Sequence, residues 1–179
     1  QRTGFNPPKF SDVLLWAKKT GAVMELDKKP TTSFRNIAAA VKAAGAQENV
    51  IFVTYNDDQA AEVAAIDPDF MMTASAFGDR DVAKLQGRGV NAKRLIGWTG
   101  TERPDRAAWA RLEQVGVEPA FGTLGRKGER LDDQYLADGD ASEYDDLARD
   151  GLVLLATDEP YRVADLIRAD DVGREACGR

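Results

Sequence analysis

The sequence predicts a parallel α/β protein, and three observations carry that prediction. Segments of strand type and helix type alternate along the 179 residues at a spacing of roughly 20 to 30 residues, the period of βα units joined by right-handed crossovers. Val50-Ile-Phe-Val-Thr-Tyr55 is a continuous apolar run, as expected of a strand covered on both faces. Ala22-Val-Met-Glu-Leu-Asp-Lys-Lys29 alternates instead. Successive side chains of a strand point to opposite faces, so Met24 and Leu26 share one face while Glu25, Asp27 and Lys29 share the other. Two carboxylates and an ammonium in line just before Pro30 suit the mouth of a barrel, where a metal and a phosphate could sit. The rhythm fits both a doubly wound sheet and a (β/α)8 barrel of the TIM type. No Gly-x-Gly-x-x-Gly or Gly-x-x-x-x-Gly-Lys-Ser/Thr follows any strand, which removes the best support for a nucleotide fold.

The elements follow in order. Residues 1–10 form an irregular lead-in, with Gly4, Pro7 and Pro8 blocking regular structure. Ser11 is expected to cap a helix through Lys19, closed by Gly21 before the charged strand. Ser33 caps a second helix to Ala44, where Ile37, Val41 and Ala44 recur at helical spacing and Gly45 gives the stop. After the apolar strand come a helix from Asp58 to Ala65, a strand from Phe70 to Ser75 and a helix from Asp79 to Gly87 or Gly89. A strand from Arg94 to Thr99, a helix from Pro104 or Asp105 to Val115 and a strand from Ala120 to Leu124 continue the alternation. Gly125 to Asp140 is polar and poor in β-branched residues, and reads as a long loop. A helix over Ser142 to Arg149, a strand over Leu152 to Ala156 and a helix over Tyr161 to Ala169 close the chain. Residues 170–179 read as a frayed tail.

Composition narrows the chemistry. The chain is 43% hydrophobic and 30% charged, as soluble globular proteins are, and long enough for one sizeable core. Its net charge of -6 disfavours a nucleic-acid partner, which needs a basic face. The lone cysteine, Cys177, has no partner for an internal disulfide. There are no histidines. Zinc hydrolases, serine–histidine triads and cysteine–histidine pairs are therefore excluded within these residues. A metal here needs oxygen ligands, which favours calcium or magnesium.

In parallel α/β folds, sites lie beyond the C-terminal ends of the strands. The exits supply Glu25, Asp27 and Lys29; Thr54, Tyr55 and Asn56; Thr73 and Ser75; Trp98 and Thr99; Thr123; Thr157 and Asp158. Most of the hydroxyl and amide residues among them fit capping of the following helix equally well. Asp27 and Lys29 fit an exposed ion pair, worth on the order of 0 to 1 kcal/mol, or a functional cluster, since clustered charges in a cleft mark sites. Trp98 fits a cavity wall or ordinary packing, whereas Trp16 and Trp109 fall on helices and read as packing residues. Asp132, Asp133, Asp138 and Asp140 lack the spacing of a calcium loop and read as a solvated loop.

Four segments together resemble the glycerophosphodiester phosphodiesterase family of (β/α)8 barrels. Pro8-Lys-Phe-Ser-Asp-Val-Leu-Leu-Trp16 is similar to the helix before the family's fourth strand. Glu25-Leu-Asp-Lys-Lys29 resembles its acidic-x-Lys strand. Trp98-Thr99 resembles its Trp-Thr strand end, and Gly151-Leu-Val-Leu-Leu-Ala-Thr-Asp-Glu-Pro160 its last strand. The resemblance implies the C-terminal portion of such a barrel over residues 11–169, beginning just before the fourth strand. The family's catalytic histidine segments are not among these residues. Six strand candidates stand where that portion needs five, so either one of Phe70–Ser75, Arg94–Thr99 and Ala120–Leu124 is an extra strand or the register against the family is shifted.

The chemistry that the resemblance implies is metal-assisted hydrolysis of glycerophosphodiesters. Asp27 or Glu25 would hold a divalent cation, calcium or magnesium. Lys29, Trp98 and Tyr55 would bind substrate, Lys29 as a point charge on a phosphate oxygen. The acid/base histidines would come from outside this chain, which alone would be inactive. The implied partners are the missing N-terminal half or a second copy, and the implied setting is bacterial, periplasmic or secreted. The competing reading is a histidine-free, barrel-like domain that binds a phosphorylated ligand or a partner subunit without catalysis. Another phosphate-handling α/β barrel with an independent acidic-x-Lys strand is a third.

Overall fold

The computed structural model describes residues 6–140 and 142–166; the expected tail at 170–179 lies outside them. Strand and helix alternate as the sequence predicts: α1 Phe10–Thr20, β1 Met24–Asp27, α2 Phe34–Ala44, β2 Val50–Val53, α3 Asp57–Ile66, β3 Met71–Ser75, α4 Asp79–Gln86, β4 Leu95–Trp98, α5 Arg106–Gln114, β5 Glu118–Gly122, α6 Leu131–Tyr135, α7 Ser142–Arg149, β6 Leu154–Ala156 and α8 Pro160–Leu166. All six candidate strands form, so none of the three suspected extras drops out. No described helix is long and apolar enough to cross a membrane.

The chain divides into two compact units. The first holds the residues up to Ala74 together with Leu85–Leu95; the second holds Ser75–Lys84 and the residues from Ile96 onward. In the first, β1 pairs in parallel with β2, from Met24 opposite Val50 to Asp27 opposite Val53, and β2 pairs in parallel with β3. In the second, β4 pairs in parallel with β5 and β5 with β6. Parallel neighbours joined by helices are the (β/α) arrangement of the barrel type.

Helix ends follow local chemistry, with one correction. Ser33 and Asn56 accept the amides of Asn36 and Gln59 as side-chain caps of α2 and α3, and Asp105 accepts that of Ala108 at α5. Gly45 takes the left-handed conformation that closes α2, one that a side chain would resist. The expected cap Ser11 instead lies inside α1, which starts after Lys9 without any side-chain cap.

Each unit has its own core. In the first, Phe52 of β2 packs between Phe34 of α2, edge-on at a ring distance of 6.1 Å, and Phe70, tilted at 4.8 Å. In the second, Trp109, Phe121, Leu136, Tyr144, Leu147 and Val163 form the buried cluster. Trp109 thus packs as expected, but Trp16 does not: it is 55% exposed.

Three threonines at strand exits do not cap the following helix. Thr54 presents both its amide and its hydroxyl to the Thr73 carbonyl, at 3.1 and 2.6 Å. Thr99 does the same to Ala120 at 2.9 and 2.8 Å, and Thr123 to Ala156 at 2.9 and 3.4 Å. Each extends its parallel ladder by one residue; the Thr54 and Thr99 hydroxyls go to the same buried carbonyl, whereas the Thr123 hydroxyl, 3.4 Å from the half-buried Ala156 carbonyl, also serves the Asp132 carboxylate. Thr99 also accepts from the indole Nε1 of Trp109 at 2.9 Å. Replacing Thr99 with valine keeps the shape but leaves the buried indole N–H without its acceptor. A loss of about 1 to 3 kcal/mol in stability is expected, read as a fall in the urea midpoint with an unchanged slope.

Candidate functional site

The exit of β1 is where the structure gathers predicted site residues. Glu25 and Asp27 stand on the exposed face of β1 while Met24 and Leu26 turn to the half-buried face, as the alternation requires. Lys28 belongs to the latter face and lies 5.3 Å from the Phe34 ring, which leaves Lys29 to turn back toward the carboxylates. Its ammonium meets Asp27 Oδ2 at 2.5 Å. Tyr55, two residues beyond the Val53 that pairs with Asp27, brings its hydroxyl to the same carboxylate and is 65% exposed.

The electrostatics follow from this geometry. The hydrogen bond from Lys29 holds the Asp27 carboxyl below its ordinary range, with the Tyr55 hydroxyl acting the same way. Asp27 in turn raises the pKa of Lys29. Tyr55 is raised by desolvation first and then by its bond to Asp27. Partial burial raises Glu25. At neutral pH the site therefore offers an ionised carboxylate, an ammonium and a phenol within one hydrogen-bonded group.

A divalent oxygen-seeking cation takes six or more oxygens. Among the described residues no group of three or more carboxylate, cysteine or histidine side chains is placed to hold an ion. Glu25 and Asp27 are therefore not by themselves a cation site.

Trp98 belongs to the second unit, where it is half-buried against Gly122. A Cβ at Gly122 would lie 2.9 Å from Cη2 of Trp98 and 2.9 Å from Cγ2 of Thr101, so the absence of a side chain there is what seats the indole. Gly122→Ala is expected to push Trp98 outward, seen as a red shift and faster quenching of its fluorescence.

Sequence reasoning missed the most elaborate polar arrangement. The stretch read as a solvated loop contains α6, and Asp132 within it is fully buried. Asp132 accepts hydrogen bonds from the Tyr144 hydroxyl at 2.7 Å, the Thr157 hydroxyl at 2.9 Å and the Asp158 amide at 2.9 Å. Arg130, with its side chain 8% exposed, pairs with Asp133, Asp158 and Glu159 at 3.2, 3.0 and 2.6 Å. Asp158 also accepts the Gly125 amide. Thr157 and Asp158 thus serve a clamp between the exits of β5 and β6. Asp138 and Asp140 do behave as solvated turn residues, each accepting an amide two positions on. The available signal was Leu131 and Tyr135, an apolar pair at helical spacing around Asp132.

No protein-family model matches the sequence, and no curated protein sequence does. Solved structures do match. A glycerophosphoryl diester phosphodiesterase from Parabacteroides distasonis superposes with a TM-score of 0.70 at 20% identity, over 90% of this chain and 55% of its own. A glycerophosphodiester phosphodiesterase from Agrobacterium tumefaciens gives 0.58 at 14% identity, over 88% of this chain and 61% of its own. The chain therefore spans little more than half the length of these relatives. At such identities the likeness establishes the fold: the chain has the (β/α) architecture of part of a glycerophosphodiester phosphodiesterase barrel.

Proposed function

We propose that this chain is the C-terminal portion of a phosphodiesterase that cleaves glycerophosphodiesters to glycerol phosphate and an alcohol. The observation that carries the reading is the Asp27–Lys29–Tyr55 group at the C-terminal end of β1, in a chain whose fold matches such enzymes. In this reading Asp27 and Glu25 contribute to a calcium or magnesium site completed by groups from elsewhere. The cation, when bound, neutralises phosphate charge and polarises the phosphorus centre. Lys29 then turns from Asp27 to a phosphate oxygen, and Tyr55 orients Asp27 by its hydroxyl. Trp98 offers an apolar wall to the glycerol or alcohol group. Proton transfer falls to histidines outside this chain, so residues 1–179 alone are inactive.

The first unit also supports a missing partner segment. β1 pairs with β2 on one side, and among the described residues no strand pairs with its other edge. Val23, just before β1, is 59% exposed, and Leu15 and Trp16 of α1 are each 55% exposed. An open strand edge with apolar neighbours is an aggregation hazard unless covered. A segment carrying the remaining barrel strands would cover it.

The test is an assay of glycerol phosphate release from a glycerophosphodiester. The polypeptide that joins these residues to a histidine-bearing segment should turn over with added calcium or magnesium and stop with a chelator. Residues 1–179 alone should show none. Cation-independent turnover would remove the assigned roles of Asp27 and Glu25. Tight phosphate binding by the longer polypeptide without turnover would favour the non-catalytic reading.

A further inference from the structure

Charge is unevenly distributed along the chain. Residues 6–45 hold seven lysines and arginines against three carboxylates, in a protein whose net charge is -6. Within that segment Asp27 is taken by Lys29, and Lys42 by Asp67. The ammonium groups of Lys9 and Lys19 pair with no described residue. Lys19 lies in the last turn of α1, and Lys9 is the residue just before the helix. We propose that the outward face of α1 docks on the surface of a bilayer that contains anionic lipid.

Helix geometry defines this face. Successive residues of an α-helix turn by about 100°. Leu14 and Ala17, both fully buried, set the inward direction, and Lys19 points the opposite way. Leu15 and Trp16 flank Lys19, one on each side, and each is 55% exposed. Asp12 is the single carboxylate of α1 and accepts the Ser11 hydroxyl. A strand added at the open edge of β1 extends the sheet, whereas this face of α1 looks away from the core that Leu14 and Ala17 join.

The pairing of apolar surface with unspent positive charge selects the partner. An indole ring is favoured at the level of lipid headgroups. Leu15 beside it adds apolar area that enters the acyl boundary. Lysine stems lie along such a surface and hold their ammonium groups among the headgroups, where each is attracted to anionic lipid. The acidic remainder of the protein is repelled by the same surface, so the charge asymmetry also orients the molecule with α1 toward the bilayer. This inference does not rest on the phosphodiesterase reading, because it uses no residue of the β1 exit and its test measures no hydrolysis.

The test is co-sedimentation of residues 1–179 with phosphatidylcholine vesicles, with and without phosphatidylglycerol, at low and high salt. Binding should require phosphatidylglycerol and be released by salt. Trp16→Ser should weaken it about tenfold and Lys19→Gln about fivefold, while Lys93→Gln, an exposed lysine outside this segment, should leave it unchanged. Lys19 is exposed, so its variant keeps the readout if Trp16→Ser fails to fold. The proposal is overturned if the parent does not sediment with the anionic vesicles, if pure phosphatidylcholine binds it equally, or if Lys93→Gln acts as Lys19→Gln does. It is also overturned if joining a histidine-bearing segment to these residues abolishes vesicle binding, because that segment is then what covers α1.

Discussion

Asp132→Ala should lower the stability of the folded chain by about 3 kcal/mol or more. The substitution leaves the hydroxyls of Tyr144 and Thr157 and the amide of Asp158 without their acceptor, and each buried donor left unsatisfied costs about 1 to 3 kcal/mol. Tyr144→Phe removes one donor and keeps the other two, so about 1 kcal/mol is expected. Urea unfolding separates the two. Burial pushes the Asp132 pKa up, but hydrogen bonds from Thr123, Tyr144, Asp158 and Thr157 outweigh it and hold the carboxyl below its ordinary value. A carboxyl depressed on folding adds stability above its unfolded pKa and loses it as pH falls through the folded one. Parent stability should therefore decline as pH drops below about 4, and that part of the decline should be absent in Asp132→Asn, which is less stable at neutral pH. Equal acid profiles would show that Asp132 is not held ionised.

Asp27→Asn should reduce turnover of glycerophosphodiester by the complete polypeptide about a hundredfold, since it removes an ionised cation ligand from the proposed site. Asp27 is solvent-accessible, so the urea midpoint of residues 1–179 should not move, and the loss is then chemical. Lys29→Ala should act mainly on KM, through the lost charge on the phosphate, with partial rescue by Lys29→Arg. A variant Asp27→Asn with parental turnover would move the cation site elsewhere on the chain.

The order and type of the elements could be read from the sequence because they depend on local features. Gly45 and Ser33 bracket α2, and the alternation at Met24–Asp27 sets which side chains face outward. The pairing of Asp27 with Lys29 is local for the same reason, two residues apart in the chain, although the strand ends at Asp27 and does not run on to Lys29 as the alternation predicts. The Arg130–Asp132 clamp was not legible. A charge-rich stretch reads as solvated, and what buries Asp132 comes from Tyr144, Thr157 and Asp158, 12 to 26 residues away. The threonine latches escaped in the same way: a threonine after a strand predicts a cap, whereas here the adjacent strand's carbonyl competes for the hydroxyl and wins. Trp16 reads as a packing residue from its helix alone, yet it stays more than half exposed among the described residues.

The central claim is that these residues belong to a larger, histidine-bearing barrel, and the intact mass of the protein isolated from its source tests it most directly. The account predicts a polypeptide well above the 19.5 kDa of residues 1–179, or a tightly associated second fragment that carries histidines. A single species at 19.5 kDa that unfolds cooperatively as a monomer would contradict it.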